Sequence, residues 1–438
     1  MKRLISIILV LVLTLSLVAC GKTEGPGTTG TPTTTPSPGN NTAAPKANDM
    51  TMWIFLNPES AEDPRNIVLK EIVEEYNRTN EAGNKVTVES IHWSKIESQA
   101  IQAAAAGTGP DIINIYTDML KQHIAGGTVQ PMTKLAEEFI STIPDYSYSA
   151  DTLKIQNEIY TLPWESRTFV YWYRDDIFEK VPTSLDELAD IGGSKSTALA
   201  MGFVIGLSEG SNAASFMESF IPFLRSAGGT LFDENGKAAF NSDAGVKSLE
   251  YIKSLVEKNA MNNTTLSLTV DDIIDAFKAG TILSVNAGTQ RAAAIRQSQY
   301  NDNIKSSPIL GFTAGTPSPA LVAGQSLGIG KYAKNPEASF DFIKTFFTEE
   351  NQVKWLKANV LPVRASVYDN AEIKALSNYE ELKSWNEYAS TGAVEFYPED
   401  YSELSVRLVK AAQEVIFNNA DAKAKLDEVA AWYNDKNK

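Results

Sequence analysis

The sequence predicts an α/β protein built as two lobes. From Asp49 to Lys438 the chain offers 390 residues, which is more than one hydrophobic core ordinarily holds, so we expect two. Short runs rich in β-branched and aromatic residues alternate there with segments whose apolar residues recur at helical spacing. This alternation is typical of βαβ units, in which helices flank a mostly parallel sheet and ligands bind at the carboxyl ends of the strands.

The first elements show the alternation most clearly. Residues 50–56, 85–93 and 111–116 are predicted as strands, and 64–79 and 95–106 as the helices between them. Asp63 followed by Pro64 is a favourable N-cap and first-turn pair for the first helix. Parallel strands place their carboxyl ends at one edge, so the residues after these strands are candidates for a site.

Later segments continue in the same manner. Ser184 and Glu187 have the spacing of a capping box that opens a helix, and residues 202–208 (GFVIGLS) are predicted as a strand. Apolar residues at helical spacing indicate further core helices, the last two of which close the chain. These are Phe216, Phe220 and Leu224; Phe340, Ile343 and Phe347; and Leu404, Leu408, Val415 and Val429.

The N-terminus predicts export and a lipid anchor. After Met1-Lys2-Arg3, the apolar run Leu4 to Val18 is too short for a membrane span and is typical of a secretory signal. Residues 17–20 (LVAC) resemble the lipobox of bacterial lipoproteins. The resemblance implies removal of residues 1–19 and acylation of Cys20. The protein would then lie on the outer face of a Gram-positive type of cell membrane, or on the periplasmic face in a Gram-negative cell.

Residues 20–48 are predicted to form the lipidated cysteine and a disordered tether. Residues 21–48 contain five Pro, five Gly and eight Thr, without an aromatic, Leu, Ile, Val or Met. Such a segment buries too little apolar surface to offset the entropy lost on ordering. A tether of this kind suits a membrane-held protein that must still reach its partners.

Composition and motifs argue against several functions. The formal net charge of −15 and the lack of a basic run argue against nucleic-acid binding. No set of His, Cys and carboxylates has metal-ligand spacing, so we expect neither metal nor cofactor. The sequence also lacks an H-E-x-x-H or phosphate-loop motif, which favours a binding protein over an enzyme. A secreted carbohydrate-active enzyme that uses two carboxyl groups stays as an alternative.

Several segments resemble family 1 extracellular solute-binding proteins, the sugar-binding lipoproteins of ABC importers related to maltodextrin-binding protein. The likeness covers essentially all of residues 50–438, and the order of the segments makes it specific. The segments are 103–118 (AAAAGTGPDIINIYTD), 159–188 (IYTLPWESRTFVYWYRDDIFEKVPTSLDEL), 228–252 (GGTLFDENGKAAFNSDAGVKSLEYI), 276–288 (AFKAGTILSVNAG), 334–355 and 361–364 (LPVR).

The resemblance implies a two-lobed periplasmic-binding-protein-like fold of class II type, with the ligand in the cleft between the lobes. Lobe 1 would comprise 49–164 and about 320–362, and lobe 2 about 165–319 and 363–438. It further implies a monomer that captures an oligosaccharide by hinge closure. The ligand would pass to the transmembrane subunits of an ABC permease, which work with a cytoplasmic ATPase. An iron- or anion-binding relative of this fold is a further alternative.

The sequence departs from the family pattern at three places. The family often has a tryptophan shortly after segment 276–288, where this chain has none. Arg174-Asp175 replaces the usual Asn-Lys, and Thr161 replaces a glycine. The missing tryptophan removes one expected stacking platform, so the ligand is expected to differ from maltodextrins.

Strand ends and the crossing segment supply the candidate ligand-binding residues. Sugars present hydroxyls at the rim and apolar faces above and below, so they suit aromatic rings beside carboxylates and amides. By resemblance, Asp118, Glu165 and Glu209 match carboxylates that bind sugar hydroxyls, and Tyr397 and Tyr401 lie where a ring is offered from lobe 2. The full set is Asn57, Glu59, Trp93, Asp118, Trp164, Glu165, Arg167, Glu209, Asn212, Tyr397 and Tyr401.

These residue types favour a neutral or mildly acidic oligosaccharide over an amino acid, a peptide or a metal. An amino-acid site would need a carboxylate and a cation fixed against the two charged groups of the ligand. We expect Trp164 to act as a stacking platform and Glu165 to bind hydroxyls beside it. Arg167 makes a uronic acid an alternative ligand, because a guanidinium can hold a carboxylate through two hydrogen bonds.

Overall fold

The first strand shows how the pattern of apolar residues builds the sheet. Along Asp49–Ile54, Met50, Met52 and Ile54 are buried and alternate with more exposed residues, as expected for a strand with one face on a core. This strand opens the part of the chain that a computed structural model describes, residues 49–392 and 394–437. The predicted signal peptide, Cys20 and the tether lie outside the described residues.

The strands are numbered in chain order. They are β1 (Asp49–Ile54), β2 (Lys85–Ser90), β3 (Ile112–Tyr116), β4 (Thr161–Arg174), β5 (Ser284–Gly288), β6 (Ile304–Pro308), β7 (Val322–Ile329) and β8 (Leu361–Pro362). The helices of the first half are α1 (Pro64–Thr79), α2 (Ile96–Ala105), α3 (Leu120–Ala125), α4 (Thr133–Ile140), α5 (Leu185–Lys195), α6 (Ala214–Ser226) and α7 (Asp243–Glu257). Those of the second half are α8 (Val270–Ala279), α9 (Ala292–Ile295), α10 (Pro336–Lys344), α11 (Glu349–Lys357), α12 (Ala371–Lys374), α13 (Tyr379–Ala389), α14 (Tyr401–Asn418) and α15 (Ala422–Lys436).

The strands follow the order β2-β1-β3-β7-β4-β5, and β6 and β8 also pair with β4. β1 is parallel to β2 and β3, as the sequence predicts. The pairings of β4 with β5, β6 and β7 are antiparallel. The second half therefore differs from the mostly parallel sheet expected there, although Met201 and Val204 form single parallel bridges to Ile282 and Val285.

Buried apolar residues separate into two large cores. The first core contains β1, α1 and α10 and extends to Trp164 and Leu327. The second core begins at Phe169, includes Val322 and Ala323, and takes in the closing helices α14 and α15. β4 and β7 therefore run from one core to the other. Two cores joined by crossing strands give the mixed α/β, two-lobed arrangement, while the residue boundaries of the lobes stay a prediction.

Several local predictions can be compared with the structure. Helix α1 spans the predicted residues, and the Asp63 side chain accepts a hydrogen bond from the backbone N of Arg65. Ser184 caps α5, but the Glu187 carboxylate accepts from the backbone N of Thr183 instead of completing the box with Ser184. The predicted strand 202–208 is wrong, since only single bridges form around it.

Candidate ligand-binding site

A cavity of about 190 Å³ lies beyond the carboxyl ends of β1, β2 and β3. Phe55, Trp93 and Asp118, which follow these three strands, line it together with Tyr116. Other lining residues come from α6, from the middle of β4, from the segment after β5 and from the start of β7, which contribute to the second core. The cavity therefore has contributions from both cores and lies at the strand edge where α/β sheets bind ligands.

Asp118 is the carboxyl group placed directly after β3. Burial raises the pKa of Asp118 to about 7; the negative charge of Glu97 adds to this rise and the positive charge of Arg167 opposes it. Its Oδ1 is buried and has no hydrogen-bond partner among the described residues. Because an unpaired buried acceptor is costly, this atom is suited to a donor brought by a ligand.

Glu97 also lines the cavity, but the protein itself engages its carboxylate. The fully buried ring of His123 bonds to Glu97 through Nε2 and to the Thr128 hydroxyl through Nδ1, 2.8 Å away. The backbone N of Tyr116 donates to Glu97 Oε1 at 3.1 Å. These contacts hold α2 and α3 against the end of β3, so Glu97 and His123 support the wall behind Asp118.

Glu218 on α6 is a cavity residue that the sequence analysis missed. Burial raises its pKa to about 7, against the opposing charges of Arg291 and Arg167. It lies in a stripe at helical spacing, with Ala214, Met217 and Ile221, and all four residues line the cavity. A carboxyl group within an otherwise apolar stripe was the available signal, but the adjacent stripe of phenylalanines drew attention only to the core.

Three arginines line the cavity, and each forms an ion pair with a carboxylate of the protein. Arg65 pairs with Asp63 at 2.5 Å and Arg291 with Asp271 at 2.6 Å. The third, Arg167, pairs with buried Glu165 and lies over the ring of Tyr116, with its guanidinium carbon 5.7 Å from the ring centroid. Cationic groups in this wall are therefore partly neutralised before a ligand enters.

Aromatic rings contribute flat apolar surface. Tyr397 and Tyr401 stack with centroids 4.0 Å apart and planes 18° apart. The backbone N of Tyr397 donates to the carbonyl of Asp118 at 2.8 Å, which ties this C-terminal segment to the end of β3. Trp93 is partly exposed, and its Nε1 donates to Asp271 at 3.2 Å. Rings beside free carboxyl groups suit a ligand with apolar faces and a polar rim.

An unusual backbone segment leads into α6. Ser211, Asn212 and Ala213 all have φ between 54° and 56°, in the left-handed region, which is unfavourable for residues with a Cβ. Ser211 and Asn212 line the cavity. Gln413 of α14 donates to the carbonyl of Leu207 at 2.7 Å and helps to hold this segment. The conformation brings the start of α6 to the cavity wall.

A family model for bacterial extracellular solute-binding proteins matches residues 71–381. The chain belongs to this family. Family and fold are thus those of solute-binding proteins. Within residues 49–392 and 394–437, no helix is long and apolar enough to cross a membrane.

Individual relatives are distant in sequence. The arabinooligosaccharide-binding protein of Bacillus subtilis is 20% identical over 259 residues, which cover 58% of this chain and 54% of that protein. The chain spans about half the length of the curated relatives it matches. Maltose-bound MalE3 of T. maritima has a TM-score of 0.75 at 18% identity, covering 89% of this chain and 99% of that one. An ABC substrate-binding protein from Listeria monocytogenes in complex with cycloalternan also has a TM-score of 0.75 at 18% identity, covering 89% of this chain and 99% of that one.

The structure of this solute-binding protein brings about half of the sequence-predicted site residues to the cavity. The predicted residues that line it are Trp93, Asp118, Arg167, Asn212, Tyr397 and Tyr401. Asn57 and Glu59 are exposed in the turn after β1, where the Asn57 side chain accepts from the backbone N of Glu59. Glu209 is exposed and pairs with Lys410 at 3.1 Å. These three residues lie outside the lining.

Trp164 and Glu165 need correction. Trp164 is fully buried in the first core, where its Nε1 donates to Asn114 at 2.8 Å and its ring packs 4.7 Å from that of Trp355. Neighbouring side chains on a strand point to opposite faces, and Arg167 takes the cavity face of β4. Trp164 is therefore not placed to stack on a ligand, and Glu165, 1% exposed, lies behind Arg167 as its ion-pair partner.

In the part of the chain that the structure describes, no group of three or more His, Cys, Asp and Glu residues is arranged to hold a metal ion. Asp118 and Glu218, the half-buried carboxyl groups of the cavity, come from the segment after β3 and from α6. With the nearby rings, they can accept hydrogen bonds from a hydroxylated ligand.

Proposed function

We propose that this protein is the extracytoplasmic substrate-binding component of an ABC importer and that its ligand is an oligosaccharide. The observation that carries the proposal is the cavity, in which stacked Tyr397 and Tyr401 lie with Asp118, whose buried Oδ1 has no partner among the described residues. A pyranose offers both an apolar face for the rings and hydroxyl donors for the carboxyl group.

The relatives support the same ligand class. Those compared above are named for, or bound to, arabinooligosaccharides, maltose and cycloalternan. Membership of the solute-binding family supports delivery to the transmembrane subunits of a permease, with energy supplied by a cytoplasmic ATPase.

Capture would proceed by closure of the two lobes about the crossing strands β4 and β7. Ligand bound to both walls stabilises the closed state over the open one. The protein would act as a monomer, held to the membrane through the lipid on Cys20. It would bind the sugar without cleaving it. The specificity of transport would come from this chain, and the energy for transport from the partner ATPase.

A thermal-shift screen against oligosaccharides tests the ligand class, since a ligand that binds only the folded state raises the apparent stability. We expect a subset of oligosaccharides to raise the melting temperature, and calorimetry should then give one site per chain. A reducing-sugar assay on each hit should show no release of product. Turnover would contradict the binding role, and failure of every sugar would contradict the ligand class.

A further inference from the structure

The charges around the cavity are unbalanced. Among the carboxyl, guanidinium and imidazole groups that line the cavity or pair with its lining residues, six carboxyl groups face three guanidinium groups and the ring of His123, which bonds to Glu97. The carboxyl groups are those of Asp63, Glu97, Asp118, Glu165, Glu218 and Asp271, and the guanidinium groups are those of Arg65, Arg167 and Arg291. Since field lines are focused in a cavity with apolar walls, the excess gives this site a negative potential.

The positive groups are already engaged. The ion pairs of Arg65 and Arg291 leave these side chains partly exposed at the edge, each bound to its own aspartate. Arg167 is buried, and its Nη2 donates a hydrogen bond to Glu165. The Nε of Arg167 has no partner among the described residues. A ligand carboxylate that binds Nη2 of Arg167 would have to displace the Glu165 carboxylate. The displaced carboxylate would then be a buried negative charge without a partner, which is unfavourable.

Two of the carboxyl groups have no cation bound to them among the described residues. Charged neighbours act on Glu218 through the electric field and not through a hydrogen bond. Asp118 Oδ1 has no hydrogen-bond partner in the described ranges, although the backbone N–H groups of Asp118 and Met119 act on its carboxyl group. The charged groups that act on Asp118 are Glu97 on α2 and Arg167 on β4, and those that act on Glu218 are Arg291, Arg167 and Asp271. Asp118 and Glu218 thus offer acceptors to a ligand from two different elements.

We propose, resting on the carbohydrate-binding function above, that Asp118 and Glu218 make this site selective for neutral and amino-bearing sugars and exclude acidic sugars. Hydroxyl and ammonium groups donate hydrogen bonds to the two carboxyl groups. A uronate adds a negative charge to a site in which each of the three guanidinium groups already forms an ion pair with a carboxylate of the protein. Like-charge contact of this kind is a direct source of specificity. The uronic acid that the sequence left open through Arg167 is thereby excluded.

The test uses matched trios of oligosaccharides, each with the same linkage and length in a neutral, a 2-amino and a uronate form. Calorimetry at pH 7.5 gives the three dissociation constants for each trio. We expect the neutral and amino forms of the preferred trio to bind and the uronate to bind at least tenfold more weakly. Equal or tighter binding of the uronate would overturn the selectivity, while failure of every member of every trio would overturn the proposed function itself.

Variants assign the selectivity to the two residues. Glu218→Gln and Asp118→Asn keep the shape of the side chain and remove one negative charge. Each should therefore lower the ratio of the uronate dissociation constant to the neutral-sugar dissociation constant severalfold. Glu250→Gln, at an exposed position on α7, is the matched control and should leave this ratio unchanged. Circular dichroism verifies that each variant is folded. If both cavity variants keep the parental ratio of uronate to neutral dissociation constants, the assignment of selectivity to Asp118 and Glu218 is refuted.

Discussion

The uncompensated carboxyl group of Glu218 should destabilise the ligand-free protein at neutral and alkaline pH. Its pKa is raised from 4.5 to about 7, so the folded state holds its proton more tightly than the unfolded state does. Stability from this group is therefore present in full below pH 4.5 and is lost as the pH rises through 7. At about 1.4 kcal/mol per pH unit, the difference corresponds to at most about 3 kcal/mol, less where solvent screens the charge.

Glu218→Gln removes the charge and keeps the volume, so it should raise the free energy of unfolding of the ligand-free protein at pH 8. With about 2.1 cal/mol/K of unfolding entropy per residue, 3 kcal/mol corresponds to a rise in melting temperature of about 4 °C. The assay is a pair of calorimetric scans, at pH 8 and pH 4.5, for the parent, Glu218→Gln and the exposed control Glu250→Gln. The gain should vanish at pH 4.5, where the parental carboxyl group is protonated. A gain that is equal at both pH values, or a loss at pH 8, would refute the electrostatic reasoning.

Three further predictions follow from the positions of single residues. Trp164→Ala should lower the free energy of unfolding by about 3–5 kcal/mol, because it opens a cavity beside Trp355; urea titration measures this, and a variant as stable as the parent would contradict its placement in the core. Tyr401→Ala should remove the ring stacked on Tyr397 and weaken binding of the best oligosaccharide by about 1–3 kcal/mol, roughly five- to hundredfold; unchanged affinity in calorimetry would place the ligand elsewhere. Cys20→Ser should release the protein from the membrane fraction of cells, and continued membrane association would contradict the lipid anchor.

The elements closest to the N-terminus could be predicted well because their signals are local. Helix α1 has a cap, a proline in its first turn and one apolar face, and it begins and ends at the predicted residues. β1, β2 and β3 agree with their predictions to within a few residues, apart from the end of β2. Segment 202–208 is predicted as a strand because it is largely apolar, and most of it is indeed buried in the structure. Burial alone does not decide between a strand and an irregular segment, since the pairing partner is decided by the rest of the fold.

The candidate site was predicted in part. Trp93 and Asp118 could be placed at the cavity because parallel strands bring their carboxyl ends to one edge, whatever the details of packing. Trp164 could not be placed correctly, because the face of β4 that meets the core depends on its pairing with β7 and on the irregularity between Pro163 and Glu165. Glu218 was missed because the neighbouring phenylalanines of α6 indicated only a core helix, although the carboxyl group interrupts an apolar stripe formed with Ala214, Met217 and Ile221.

The sequence by itself determined the class of protein, the alternation of elements, and the ordered segments that relate it to solute-binding proteins. All of these depend on residue types and on spacing along the chain. Only the tertiary structure decided which carboxyl groups are free. Glu165 pairs with Arg167 two residues away on the same face of β4, whereas no ion pair forms at Glu218 or Asp118 within the described residues. Arg167 and Arg291 both act on Glu218, but each forms its ion pair with another carboxylate. Which carboxyl group a guanidinium meets depends on distances of a few ångströms, and the distances from Glu218 on α6 to these arginines exist only once the chain has packed.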